Sequence, residues 1–202
     1  INELSKIDDI KRIRISSIEV TELNDKFLDM LKNNDKVCDH LHIPLQAGSD
    51  EILKRMNRKY DLAYYEEKIK KIRSIRPDIS ISTDIIVGFP YETEELFLNT
   101  LEFSKKIKFS KIHVFPYSVR VGTAAANMEE QVDEVVKKMR VKRLMAVSHM
   151  LEVDYYNKFK DKELDILIET CDNNVSEGHT SNYLLVSVPE NIKVGEIVRR
   201  KI

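Results

Sequence analysis

Short strand-like runs and amphipathic helical stretches take turns along the N-terminal part of this chain, and that alternation leaves few folds open. Ile10 to Ser17 alternates apolar and polar residues and reads as a strand. Thr21 is placed to cap a helix through Leu31 that carries Leu23, Phe27, Leu28, Met30 and Leu31. Cys38 to Leu45 is a second strand, with Pro44 at its end because proline cannot donate to a ladder. Ser49 reads as a helix N-cap, with Asp50 and Glu51 in the first turn, where the helix dipole favours acids. An amphipathic helix spans Ala63 to Ile75 and stops near Pro77. Ile79 to Val87 is a third strand whose apolar second half suits a parallel strand covered on both faces. Thr93 caps a helix through Lys106, and Lys111 to Phe115 is a fourth strand ending at Pro116.

Repeated βα units imply a parallel sheet. The expected class is α/β, the C-terminal half of a parallel βα barrel. In such a barrel chemistry sits at the C-terminal strand ends, and here those ends are rich in polar, Gly and Pro residues. Gln131 to Lys160 reads as one long helix with Val132, Val136, Met139, Ala146, Met150 and Val153 near one face. Beyond it, Leu164, Ile166 and Ile168 alternate with acids, and Tyr183 to Val188 and Ile192 to Val198 read as further strands. Short strands with small turns predict a small OB-like β-barrel. The expected division is 1–139 and 140–202.

Composition narrows the function classes. A net charge of −1 restricts any nucleic-acid contact to local patches. No apolar run approaches the ~20 residues of a membrane span, and no signal peptide opens the chain. Cys38 and Cys171 are far apart, so no disulfide framework is expected and the cytoplasm is the default. The first residue is Ile1 rather than Met, consistent with a piece of a longer protein.

Several groups could carry chemistry. The Ala47-Gly48-Ser49 turn leads into a helix whose free N–H groups could hold a carboxylate or phosphate. Every βα unit needs such a turn, and a plain capped turn is the reading preferred from the residues alone. Cys38, His40 and His42 share one face of a strand, but ligands two apart on one strand splay, so packing and hydrogen bonding are expected and no metal. Glu19 follows an apolar strand and Asp84 lies within one; Asp84 either holds a ligand amine or hydroxyl or pairs with a cation. Lys137, Lys138, Arg140, Lys142 and Arg143 form the densest basic cluster, either an RNA contact or a solvated helix surface. Arg199 and Arg200 could add a second patch. His179, Asn182 and Tyr183 offer polar and stacking groups suited to single-stranded or loop RNA.

Four long runs in register carry a resemblance: RISSIEVTELND (Arg14 to Asp25), HLHIPLQAGSDEILKRMNRKY (His40 to Tyr60), TDIIVGFPYETEE (Thr83 to Glu95) and KIHVFPYSVRVGTAAANM (Lys111 to Met128). Together they resemble the second half of a radical S-adenosylmethionine methylthiotransferase core. GHTSNYLLVSV (Gly178 to Val188) is similar to that family's C-terminal TRAM domain, a small RNA-binding β-barrel. HLHIPLQ, KIHVFPYS and GHTSNY look most like the branch acting on threonylcarbamoyladenosine in tRNA.

The resemblance implies a transferase that adds a methylthio group to C2 of the adenosine beside the anticodon. It implies S-adenosylmethionine and two [4Fe–4S] clusters, one on a CxxxCxxC loop and one on an N-terminal domain, with cysteine thiolates holding the iron. Cys38 and Cys171 match neither set, so no catalytic residue is expected within this chain and the chain alone is expected to be inactive. By the same resemblance Ser17, Glu19, Gln46, Ser49, Asp84, Phe115 and Tyr117 line part of the S-adenosylmethionine pocket. The alternative expectation is a non-catalytic protein that binds tRNA, or that dimerises through exposed sheet edges.

Val20, Ala47, Tyr91 and Ala124 stand where the family has Pro, Ser, Gly and Pro. If position 91 needs positive φ, tyrosine costs about 1–2 kcal/mol there.

Overall fold

A computed structural model describes residues 1–202. After a short helical turn, α1 (Asn2–Ser5), the chain forms β1 (Ile13–Ile15), α2 (Asp25–Asn33), β2 (Val37–His42), α3 (Asp50–Arg55), α4 (Leu62–Ile75), β3 (Ser80–Val87), α5 (Glu94–Ile107) and β4 (Lys111–Pro116). These strands make a parallel sheet in the order β1-β2-β3-β4. Sequential order with intervening helices is the winding of a βα barrel, here an open arc.

The local signals explain most boundaries. Thr93 accepts from the Leu96 N–H and starts α5, and Asp61 accepts from the Tyr64 N–H and starts α4. Two expected caps differ. Val20–Glu22 is a 3-10 turn, so α2 starts later, with Asn24 rather than Thr21 accepting from the Phe27 N–H. Ser49 occupies the N-cap position of α3 without a side-chain bond; Asp50 instead accepts from the Leu62 N–H and ties α3 to α4.

The sheet has two unlike faces. Leu41, Ile43, Ile81, Ile85 and Ile112 pack beneath the helices with Tyr65, Phe97 and Phe103. Thr83 on that face donates to the Ile43 carbonyl and accepts from the Leu45 N–H, so its hydroxyl is satisfied within the core. The opposite face carries Arg14, His40, His42, Ser80, Ser82, Asp84 and His113. Apart from Ile86 near its end, β3 is therefore apolar on its helix side and polar on the other, whereas its apolar second half suggested cover on both faces.

The long helix α6 (Glu134–Asn157) lies along β4 and is capped by Asp133. Its buried stripe is Lys137, Arg140, Leu144, Ser148, Leu151 and Tyr155, a 3-4-4-3-4 spacing. Met139, Met150 and Val153 face solvent, so the apolar face expected from sequence is not the packed one. Polar residues hid the true stripe. Arg140 pairs with Glu92 in the core, and Ser148 Oγ meets both the N–H and the C=O of Ile112.

Beyond α6, β5 (Glu163–Asp172), β6 (Val175–Thr180), β7 (Leu185–Val188) and β8 (Ile197–Lys201) form an antiparallel sheet in the order β7-β6-β5-β8. Ile166, Ile168, Val188 and Ile192 are its small core. No helix is long and apolar enough to cross a membrane.

Candidate functional site

The polar face of the parallel sheet floors a cleft of about 830 Å³. The far part of α6 walls one side with His149 and Glu152, and the second sheet closes another with His179, Tyr183 and Leu185. The chain holds five histidines, and all five, His40, His42, His113, His149 and His179, line this cleft. Strand register brings the central ones together: His42 pairs with Ser82 across β2 and β3, and Asp84 pairs with His113 across β3 and β4. Residues two apart on a strand share a face, so His42, Ser82, Asp84 and His113 all project into the cleft.

Ser82 Oγ lies 3.0 Å from His40 Nε2 and 3.0 Å from His42 Nδ1. A hydroxyl has one proton, so it donates to one imidazole and accepts from the other. His42 Nε2 lies 3.2 Å from Asp84 Oδ2. Burial, reinforced by the positive charge of Arg14, pushes His40 down to about 3, which keeps it neutral. Burial also lowers His113, against the opposing pull of Asp84.

Of the seven residues matched to a cofactor pocket, only Asp84 lines this cleft; the other six lie at or beyond the C-terminal ends of β1, β2 and β4. Asp84 is in the cleft with His42. Ser17 and Glu19 are exposed beyond β1, where Glu19 lies 3.7 Å from Arg58. Gln46 has φ of 72° and bridges to Ile85 through its backbone at the sheet's C-terminal rim. Phe115 is half exposed near the end of β4. Tyr117 packs edge-on against Phe89, with its hydroxyl buried and unpartnered. Ser49 is buried and lines a shallow groove beside α3 and α5.

The basic residues divide as sharply. Lys137 is buried and paired with Glu134, and Arg140 is buried against the carboxylate and carbonyl of Glu92. Neither presents its charge outward. Burial raises the Glu92 carboxyl, opposed by the Gly88 N–H and the Arg140 charge. Lys138 and Lys142 are exposed, and Arg143 pairs with Glu94. Arg199 lies within ion-pair reach of Glu163, and Arg200 pairs with Glu190.

His179, Asn182 and Tyr183 hold the two sheets together. The His179 ring stacks on Tyr183 with centroids 4.3 Å apart and its Nδ1 lies 2.6 Å from Glu169. The Arg14 guanidinium covers the Tyr183 ring at 3.1 Å, and Asn182 donates to the Tyr155 hydroxyl. Arg12 donates to the His179 and Asp165 carbonyls. A basic residue before a strand gives no sign of such a role until the second sheet is docked.

Comparisons with known proteins agree with this architecture. Residues 1–104 match the family model of the radical SAM superfamily. The threonylcarbamoyladenosine tRNA methylthiotransferase MtaB of Bacillus subtilis is 44% identical over 98% of this chain and 45% of its own length. The tRNA-2-methylthio-N(6)-dimethylallyladenosine synthase of Thermoanaerobacter sp. (strain X514) is 41% identical over 99% of this chain and 43% of its own. The chain thus spans under half the length of these relatives. Among solved structures, the radical SAM enzyme coproporphyrinogen III oxidase (HemN) from Escherichia coli matches with a TM-score of 0.55 and 20% identity, over 69% of this chain and 32% of that one. At that identity the likeness concerns the fold alone. Half the sequence on the family model, together with a parallel βα arc, places this chain in the radical SAM superfamily.

Proposed function

We propose that this chain is the C-terminal portion of a tRNA methylthiotransferase that adds a methylthio group to C2 of N6-threonylcarbamoyladenosine beside the anticodon. The observation that carries this reading is 44% identity along 98% of the chain to the Bacillus subtilis enzyme of that name. The domain division at 139/140 belongs to the same proposal, with α6 running unbroken across it.

The residues present do not suit an iron–sulfur cluster. Cys38 is buried in β2 and Cys171 lies in β5, on separate sheets, whereas a [4Fe–4S] cluster needs converging thiolates. Cluster ligands would have to come from sequence outside these residues. The chain's own contribution would be binding. Ser17, Glu19, Gln46 and Phe115 at or near the rim, with Asp84 below, would contact S-adenosylmethionine or the target nucleoside. Tyr117, held against Phe89, would shape the rim. Lys138, Lys142 and Arg143 would meet the tRNA backbone, with Arg199 and Arg200 beside them in sign.

The test expresses the gene that encodes this chain, with its upstream region, in a strain whose tRNA lacks the methylthio group. Nucleoside mass spectrometry should show the group on threonylcarbamoyladenosine. Its appearance on dimethylallyladenosine instead would correct the substrate, and unmodified tRNA would overturn the reading.

A further inference from the structure

We propose that His42, Asp84 and His113 form a binding site for one divalent transition-metal ion of the zinc class. The site is separate from any iron–sulfur cluster and needs no cysteine.

The ligand atoms of the three residues lie within 4.8 Å of one another. His42 Nε2 and Asp84 Oδ2 are 3.2 Å apart. Bonds of ~2.0–2.1 Å in a tetrahedral zinc site place neighbouring ligands about 3.3 Å from each other. These two groups are therefore already at ligand spacing. His113 is the exposed member and completes the set, its ligand atom lying within 4.8 Å of those of His42 and Asp84.

What distinguishes this set from Cys38, His40 and His42 is topology. Ligands on one strand diverge, but His42, Asp84 and His113 come from three adjacent parallel strands, β2, β3 and β4. The sheet supplies the convergence. Two imidazoles and one carboxylate leave a fourth position, and it opens into the cleft, as in metal sites that bind an exchangeable ligand.

The second requirement is a group that fixes the ligating imidazole. Metal-bound histidines commonly donate their other N–H to an oxygen, which sets tautomer and ring orientation. Ser82 Oγ, 3.0 Å from His42 Nδ1, is placed for this. With His42 Nδ1–H donating to Ser82, Nε2 turns its lone pair toward Asp84 and the cleft. Ser82 then gives its own proton to His40 Nε2. Ser82 is a positioning residue, and Ser82 and His40 are both buried.

The 202-residue chain, stripped with chelator, is titrated with Zn²⁺ by calorimetry and with Co²⁺ by visible absorption. One ion per chain is expected, with Co²⁺ ligand-field bands of a nitrogen–oxygen site and no thiolate charge-transfer band. His113→Ala should weaken binding by at least ~10-fold, and Ser82→Ala by about as much. His149→Ala, in the same cleft, and the double variant Cys38→Ser/Cys171→Ser should bind as wild type. His113 is exposed, so its variant is the decisive one, with circular dichroism showing an unchanged fold; Asp84→Asn gives an independent check. No saturable uptake by the wild-type chain overturns the site. So does uptake that survives His113→Ala, or that vanishes in the cysteine variant.

Discussion

Arg140 is the residue whose burial does most to redistribute function along α6. Its guanidinium bonds to the carboxylate and carbonyl of Glu92 at 2.8 Å, and both side chains are almost wholly buried. Removing one partner of such a pair strands the other in the core, at a cost of about 3–5 kcal/mol. Arg140→Ala should lower stability by that much in urea denaturation, whereas Lys138→Ala, on the solvent side, should change it by less than ~0.5 kcal/mol. If the chain binds tRNA through α6, Lys138→Ala should weaken binding without altering the denaturation curve. Both residues carry the same formal charge and lie two apart in sequence. Only the packing of α6 on α5 and β4 separates their roles.

Tyr91 raises a different issue at the same scale. Its φ is 68°, the conformation that costs a side chain about 1–2 kcal/mol relative to glycine. The Arg55 guanidinium sits 4.0 Å from its ring centroid, a contact worth ~0.5–1 kcal/mol at an exposed site. Tyr91→Gly should therefore leave the melting temperature nearly unchanged, since relief of strain and loss of the contact offset. Tyr91→Val keeps the strain, adds β-branching and loses the ring. It should destabilise by more than about 1 kcal/mol in the same measurement.

Among elements, α6 has a task beyond packing. The four-stranded arc leaves two strand edges, at β1 and at β4. On the β4 edge Ser148 Oγ accepts from the Ile112 N–H at 3.0 Å and gives its one proton to the Glu152 carboxylate at 2.8 Å, with the Ile112 C=O farther off at 3.3 Å, so a side chain of α6 satisfies the edge amide. Ser148→Ala leaves a buried amide unsatisfied, at about 1–3 kcal/mol. Hydrogen exchange should show the Ile112 amide losing protection more than its β4 neighbours; equal protection would mean another group takes over. The β1 edge has no comparable cover, though β1 is only three residues long. Dimerisation through sheet edges therefore has β1 or the edges of the second sheet to use, and light scattering at high concentration tests it.

The elements were legible wherever one physical signal dominated. The caps at Thr93, the apolar alternation of β5 and the Pro116 end of β4 each follow from one residue's chemistry, and the structure places them accordingly. The packed face of α6 was not legible, because its inward stripe carries Lys137, Arg140 and Ser148; Lys137 is satisfied by Glu134 one turn back, but Arg140 and Ser148 are satisfied by Glu92 and Ile112, far away in sequence. The His42–Asp84–His113 cluster was hidden for a related reason. Each residue is visible on its own strand, but only the register of β2 with β3 and of β3 with β4 shows that they meet. Register is a property of pairs of strands, and one strand's sequence does not contain it.

At the scale of the whole molecule, the GHTSNY segment decides how the second sheet sits. Tyr183, at φ 65°, is gripped between the Arg14 guanidinium and the His179 ring and also meets His40. Asn182 is buried against Tyr155, while Ser181 Oγ accepts from the Asp39 N–H. These contacts come from β1, β2 and α6 at once, so the segment orients the second sheet against the floor and wall of the cleft. Polar side chains that look suited to RNA are thereby committed to the interface, and the cleft exists only while they hold. A double-mutant cycle on Arg14→Ala and Tyr183→Ala should give a coupling of about 0.5–2 kcal/mol, the range of a partly desolvated cation–π pair. The double variant should also be cut faster by protease between α6 and β5, near Lys160 to Lys162, while the parallel sheet stays intact. An additive cycle with unchanged cleavage would mean that Arg12 and Asn182 alone fix the second sheet. In that case the stack serves the cleft wall rather than the docking.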